Sequence, residues 1–326
     1  MATEKMTENV SILAISGGVG GAKLCLGLSD ELVGSNLHIV VNTGDDFRHL
    51  GLHISPDIDT LLYTLSERNN VEQGWGLRDE SWNVMSELEN LGGDTWFRLG
   101  DKDLATHFGR TTALAKGAGL CSVVDLLATR MGIANKIYSM SENSVQTIVS
   151  TDEGELAFQD YFVRLQCQPV VTGFRFEGID AAQPDPAILQ LLKQQSPFAT
   201  IICPSNPFVS IDPILQLPGM WQALRDSSAP VIAVSPIVDG VAVKGPAAKM
   251  MKELDMPVNS LAVAEYYCDR YPDLLSGFVI DNSDVALADA IRSLGVDVYI
   301  TNTIMHNRQD KQRLAQFILQ AVVCQE

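Results

Sequence analysis

The chain has 326 residues, 46% of them apolar and 19% charged, which suits one large α/β domain with an insertion, or two modest domains, and excludes collagen, coiled coil and disorder. Its 40 acidic residues against 23 Lys and Arg give a formal net charge of -17. Such a chain repels polyphosphate at long range, so a nucleic-acid partner is not expected, and any phosphate it handles calls for local backbone N–H groups, a few cations and a divalent ion.

In chain order, the first segment (MATEKMTENV) is polar and acidic, unlike a signal peptide, and no later apolar run reaches the ~20 residues of a bilayer span. A cytoplasmic protein with no membrane partner is the expectation. Short apolar runs then recur at residues 11–16 (SILAIS), 37–42 (LHIVVN), 199–203 (ATIIC), 230–235 (PVIAVS), 277–281 (GFVID) and 296–301 (VDVYIT). They are apolar throughout instead of alternating, which is the pattern of strands buried on both faces of a parallel sheet covered by helices. The expected fold is therefore α/β, a doubly wound, mostly parallel Rossmann-like sheet.

Residues 57–132 interrupt the rhythm with helical spacing (Leu61, Leu62 and Leu65; Trp82, Met85, Leu88 and Leu91) and further helical stretches at 101–116 and 120–130. They are expected to form an inserted helical subdomain, with 1–56 and 133–326 as the nucleotide-binding core. Residues 136–176 are expected as β-ribbon on the alternation of FQDYFV at 158–163, and 309–323 as a helix packed back on the sheet. The six cysteines, Cys25, Cys121, Cys167, Cys203, Cys268 and Cys324, form no C-x-x-C pair and read as free thiols in a reducing compartment.

Ligands of open α/β sheets bind beyond the carboxyl ends of the strands, and the segments there are small, polar and acidic. After the first strand comes Gly17-Gly18-Val19-Gly20-Gly21, then Lys23; it is neither a Walker A loop nor a clean G-x-G-x-x-G, yet its glycines let a backbone approach phosphate at a helix start. After the second come Asn42-Thr43-Gly44-Asp45-Asp46, and soon Pro56-Asp57-Ile58-Asp59. Asp45, Asp46, Asp57 and Asp59 offer the hard oxygens a magnesium ion takes, with one of them equally suited to cap a helix. Pro204-Ser205-Asn206-Pro207 and Pro236-Ile237-Val238-Asp239-Gly240 follow later strands. In GDKDLATH, Asp103 and His107 share a helix face. No Ser–His–Asp or Cys–His arrangement points to a covalent nucleophile, whereas in-line displacement at phosphorus needs only positioning and charge stabilisation.

Taken together, SGGVGGAKL, VVNTGDD, ISPDIDTLLYTL, GWGLRDESW, RLGDKDLATH, FQDYFV, CPSNPFVSIDPIL, VSPIV, KGPAAKMM and AEYY occur in one order over nearly the whole chain. The set resembles the 2-phospho-L-lactate transferase family of coenzyme F-420 biosynthesis, and its glycine turn is more like bacterial members. The resemblance implies transfer of a phospholactyl or phosphoenolpyruvyl group from a guanosine-diphospho donor to the ribityl hydroxyl of the deazaflavin 7,8-didemethyl-8-hydroxy-5-deazariboflavin, releasing GMP. It implies Mg2+ on Asp45, Asp46, Asp57 and Asp59, with Asp45 and Asp59 catalytic and Asp45 doubling as general base. Asp59 and Lys102 would neighbour the deazaflavin. Gly18, Gly20, Gly21, Asn42, Ser205 and Asn206 would cradle the nucleotide phosphates, Lys244 and Gly245 would close over the guanosine, and a homodimer is the family expectation. Two rivals are weaker. The sugar-nucleotide-binding regulators of the gluconeogenesis-factor family share the opening turn, but a Gly- and Ser-rich run would be expected where Phe47-Arg48-His49-Leu50 stands. An NAD-linked dehydrogenase wants an acid where Asn42 ends the second run.

Overall fold

All six apolar runs become strands of one seven-stranded parallel sheet in the computed structural model, which describes residues 11–32, 36–195, 197–242 and 245–323. Strand β1 (Ile12–Ser16) turns into helix α1 (Gly18–Glu31), and β2 (Leu37–Val41) follows. A hairpin of β3 (Phe47–His49) and β4 (Leu52–Ile54) delivers α2 (Pro56–Leu65), α3 (Asn83–Asn90), α4 (Asp101–Ala115) and α5 (Leu120–Arg130), before β5 (Lys136–Ser139) rejoins the sheet. A small antiparallel sheet of β6 (Gln146–Thr151), β7 (Gly154–Ala157) and β8 (Val171–Glu177) leads to α6 (Pro186–Gln190). The second half runs β9 (Ala199–Ile202), α7 (Asp212–Leu215), α8 (Met220–Asp226), β10 (Val231–Val234), a short hairpin of β11 (Ile237–Val238) and β12 (Val241–Ala242), and α9 (Ala247–Glu253). It ends in α10 (Ser260–Arg270), β13 (Gly277–Asp281), α11 (Ala288–Arg292), β14 (Asp297–Thr301) and α12 (Arg308–Val323).

The sheet order is β5-β2-β1-β9-β10-β13-β14, so the fold is the expected doubly wound α/β arrangement. The order reverses between β1 and β9, where Ile12 pairs with Leu37 on one side and Ala199 on the other. A crevice opens at such a reversal beyond the strand ends. Alternate side chains of β1 feed two apolar layers, Ile12 and Ala14 against α1 and α12, Leu13 and Ile15 against the opposite face. Within 57–132, α2 and α5 join the layer of α1 through Ile58, Leu61, Leu62, Leu120 and Val124. Met85, Leu99 and Leu104 instead gather with Leu52 and Ile54 of the hairpin in a separate small cluster.

Two local expectations change. Residues 136–139 form the edge strand β5 of the main sheet, not part of a ribbon. FQDYFV is a helical segment with a wide turn over Asp160–Arg164; its apolar residues sit four apart, which places Phe158 and Phe162 face to face with centroids 5.4 Å apart.

Asp212, 2% exposed at the start of α7, accepts hydrogen bonds from Tyr266, from Tyr271 (2.9 Å) and from Gln216 (3.0 Å) beside Arg270. Burial outweighs these partners and pushes its carboxyl up to about 6. A carboxyl raised above its unfolded value of about 3.9 contributes stability that is full below that pH and lost as pH rises through 6. The loss amounts to about 2–3 kcal/mol. Urea unfolding of Asp212→Asn and the parent chain is therefore expected to diverge by that amount between pH 4 and 7, in favour of the variant at higher pH. A difference constant with pH would mean that this carboxyl titrates normally.

Candidate active site

The crevice at the strand-order reversal holds a cavity of about 530 Å³, inside the range of small-molecule sites. Part of its lining is backbone and small polar groups: Gly17, Gly18 and Gly20 from the turn after β1, and Pro204, Ser205 and Asn206 after β9. These two turns are locked together. The Ser205 hydroxyl donates to the Gly17 carbonyl (2.7 Å) and accepts from the Gly17 N–H (3.2 Å). A Cβ on Gly20 would lie 2.1 Å from the Pro204 carbonyl oxygen, so only glycine allows α1 to start this close to β9. Asn206 holds its own turn by accepting from the Phe208 N–H (3.0 Å).

Asp45 and Asp57 line the same cavity. Asp57, in the first turn of α2, accepts from the Gly18 N–H (2.7 Å) and from Asn42 Nδ2 (2.9 Å). Asn42 is wholly buried and also bonds the Val209 carbonyl (3.2 Å) and the Gly44 N–H (2.8 Å), so it orients Asp57 instead of facing the cavity. Asp45 Oδ1 is buried without a hydrogen-bond partner. Burial first, then the Asp57 carboxylate, raises Asp45 well above the usual carboxylate range, while burial takes Asp57 to about 6 against the bonds from Asn42 and Gly18. Two buried carboxylates, one with an orphan oxygen, open to a phosphate-sized space, fit the donor set of Mg2+, which takes one or two carboxylates with substrate phosphate.

The cavity also has an aromatic and aliphatic lining: Trp75, Phe97, Phe158 and Phe162, with Val163, Val209 and Met305. Arg98 also lines it, its guanidinium stacked 4.7 Å over Trp82. Lys23, donating to the Met305 carbonyl (2.8 Å), and Arg98 are the cations among the described lining residues. Sequence reasoning missed this lining: four aromatics and an arginine arrive from three segments between residues 75 and 162, and the GWGLRDESW, RLGDKDLATH and FQDYFV motifs contain all of them but Phe97 without showing that they meet.

The remaining expected residues are placed elsewhere. Asp46 accepts from Ser55 (2.7 Å) and pairs with His53 Nε2 (3.0 Å). Asp59 is turned to the opposite side of α2, where both its oxygens take the Arg110 guanidinium. Lys102 is exposed and donates from Nζ to the Arg78 carbonyl (3.1 Å). Gly21 packs against Ser16 and Ser205, behind the cradle. Gly245 lines the cavity, while Lys244 lies outside the described residues. Away from the cavity, Cys121, Glu142 and Asp185 bring three ligand-type atoms within 4.8 Å, but both carboxylates serve as helix caps: Glu142 accepts from the Leu120 and Cys121 N–H groups and Asp185 from Ala187. No helix of the described residues is long and apolar enough to cross a membrane.

Fold and site together are those of an α/β protein with a small-molecule-sized cavity at the reversal point of its sheet. The model of the family described as 2-phospho-L-lactate transferase CofD matches residues 12–316. The chain is 36% identical over 310 residues to a 2-phospho-L-lactate transferase of Methanosarcina mazei, covering 95% of this chain and 100% of that one. It is 38% identical over 292 residues to a phosphoenolpyruvate transferase of Kitasatospora aureofaciens, covering 87% and 89%. A solved structure from Bacillus halodurans, a member of the upf0052 family, matches with a TM-score of 0.65 over 96% of this chain and 99% of its own; at 14% identity this is likeness of fold. The chain belongs to the 2-phospho-L-lactate transferase CofD family, and it is a transferase.

Proposed function

We propose that this transferase moves a phospholactyl or phosphoenolpyruvyl group from a guanosine-diphospho donor to the ribityl hydroxyl of 7,8-didemethyl-8-hydroxy-5-deazariboflavin, releasing GMP, in coenzyme F-420 biosynthesis. The observation that carries this reading is the mixed lining of one cavity. Its glycine and serine backbone suits a diphosphate, its aromatic side chains suit a flat heterocycle, and the buried pair Asp45 and Asp57 lines the same space. The printed names of the relatives from Methanosarcina mazei and Kitasatospora aureofaciens support the two candidate acyl groups.

In this reading the Gly18 and Gly20 backbone with Ser205 and Asn206 holds the diphosphate, and Gly245 and Pro246, which line the cavity, meet the guanosine. Arg98 meets the acyl carboxylate, and Phe158, Phe162 and Trp75 pack the deazaflavin ring. Asp45 and Asp57 hold Mg2+, which when bound neutralises charge developing on the phosphoryl oxygens. The ribityl hydroxyl oxygen forms a bond to the phosphorus that carries the acyl group, the bond from that phosphorus to the GMP oxygen breaks, and the hydroxyl proton passes to Asp45 Oδ1. Burial and the neighbouring Asp57 carboxylate raise the proton affinity of Asp45, in the direction a general base needs.

Mass spectrometry of the chain incubated with Mg2+, the deazaflavin alcohol and each guanosine-diphospho acid in turn tests this. The expected result is a deazaflavin product heavier by one phospho-acyl group, with one GMP per product. No product with either donor would overturn the reading.

A further inference from the structure

The GDKDLATH helix does not reach the cavity, yet it carries the most deeply buried ionic network in the described chain. Arg110 of α4 is 0% exposed, and His107, Tyr63, Asp59 and Asp103 are 1%, 2%, 5% and 7% exposed. Arg110 grips both oxygens of Asp59 on α2. His107 stands 3.6 Å from Asp59 through Nδ1 and 3.2 Å from Asp103 through Nε2, and Asp103 accepts from the Tyr63 hydroxyl (2.5 Å). Arg110 also donates to the His53 carbonyl (3.4 Å), and the His53 ring pairs with Asp46, next to Asp45.

Asp59 and Asp57 are two residues apart on α2, roughly 200° around the helix. The first turn of α2 is thus gripped from opposite sides, by Arg110 through Asp59 and by the Gly18 N–H through Asp57. The chain segments bearing Asp45 and Asp57 both end on Arg110, one through His53 and Asp46, the other through Asp59. Buried ion pairs of this kind add little stability over apolar side chains of similar volume, so their retention points to geometry. A rotation of α2 by about 10° would carry a carboxylate some 5–6 Å from the helix axis about 1 Å out of place. A displacement of that size costs on the order of 100-fold in rate when the reacting groups are pre-aligned.

We propose that Arg110, acting through Asp59 and the His53 carbonyl, is the positioning residue that sets the Asp45–Asp57 pair; the proposal rests on the assignment of that pair to the transfer reaction. Asp59 then serves this grip and contacts neither metal nor acceptor.

The test is the double variant Asp59→Leu with Arg110→Met, which keeps the volume and removes the charges together, alongside Arg110→Lys. Three quantities are read: kcat and KM for the deazaflavin alcohol, Mn2+ affinity by electron paramagnetic resonance, and hydrogen exchange of the Gly18 amide. The double variant is expected to unfold within a few degrees of the parent while kcat falls about 100-fold, KM changes less than threefold, Mn2+ binds about tenfold more weakly and Gly18 exchanges at least tenfold faster. Arg110→Lys, which keeps charge but not the two-pronged grip, is expected to fall between. Unchanged Gly18 exchange and Mn2+ affinity would overturn the proposal, as would a rise in KM alone, which would make Asp59 an acceptor contact. Should the parent chain bind no Mn2+ and transfer nothing, the assigned reaction fails, and the Gly18 amide still decides whether Arg110 fixes Asp57.

Discussion

Asp45→Asn is expected to lose about 10²–10³-fold in kcat while becoming more stable than the parent chain, by about 1 kcal/mol. Both effects have one cause. Asp45 is 6% exposed, its Oδ1 has no partner, and the Asp57 and Asp46 carboxylates add repulsion to the desolvation that already opposes its charge. Asparagine has nearly the same shape and no charge, so the unfavourable field disappears, and with it the carboxylate that the proposed mechanism uses to take the proton and help hold the ion. Steady-state kinetics at saturating Mg2+, beside thermal unfolding without it, separates the two effects. Full turnover in a more stable variant would show that Mg2+ suffices without this carboxylate; lower stability would show that the carboxylate is a framework group.

Gly20→Ala is expected to be among the most damaging single-methyl changes in the chain. The added Cβ would lie 2.1 Å from the Pro204 carbonyl oxygen, a backbone atom fixed by β9, so α1 or the turn after β9 must move. Forcing a shift at so tight a contact costs about 1–3 kcal/mol or more, and here the same shift pulls apart the two walls of the phosphate cradle. Gly21→Ala is the internal control. Its nearest obstacles are the Ser16 and Ser205 hydroxyls at 2.4 and 2.7 Å, side-chain atoms that can rotate away. Denaturant unfolding and guanosine diphosphate binding by calorimetry should both rank Gly20→Ala below Gly21→Ala; equal effects would mean that the contact with Pro204 does not set the cradle.

Much of the fold was legible because a parallel sheet buries both faces of its strands. The runs SILAIS, LHIVVN, ATIIC, PVIAVS, GFVID and VDVYIT announce themselves as continuous apolar stretches, and each is a strand. The seventh, β5, was not legible: it lies at the sheet edge with Lys136 exposed, and an edge strand lacks the two-sided signal. FQDYFV misled because alternation over six residues and a wide helical turn place apolar side chains in nearly the same string. For the site, following each strand to its carboxyl end reached Gly18, Gly20, Asp45, Asp57, Ser205 and Asn206, all of which line the cavity. Spacing puts Asp57 and Asp59 on opposite sides of α2 but could not say which of them faces the cavity, since that depends on Arg110, 51 residues beyond Asp59. Nor could it supply Phe97, Arg98 or Met305, whose place at the cavity is fixed only by tertiary packing.

The pairing of Ile12 with Ala199 has a consequence for how the protein comes into being. The Gly17 turn leaves the ribosome well ahead of its hydroxyl partner Ser205, which is 188 residues behind. Until the β9 segment and that serine emerge, the glycine turn has no opposite wall, and β1 has only β2 beside it. Closing so long a loop is slow relative to local helix and hairpin formation. A nascent chain stopped before the turn at Pro204 would therefore carry the glycines and aspartates of the cavity yet lack its opposite wall, which delays capture of the proposed nucleotide until the β9 segment has been made.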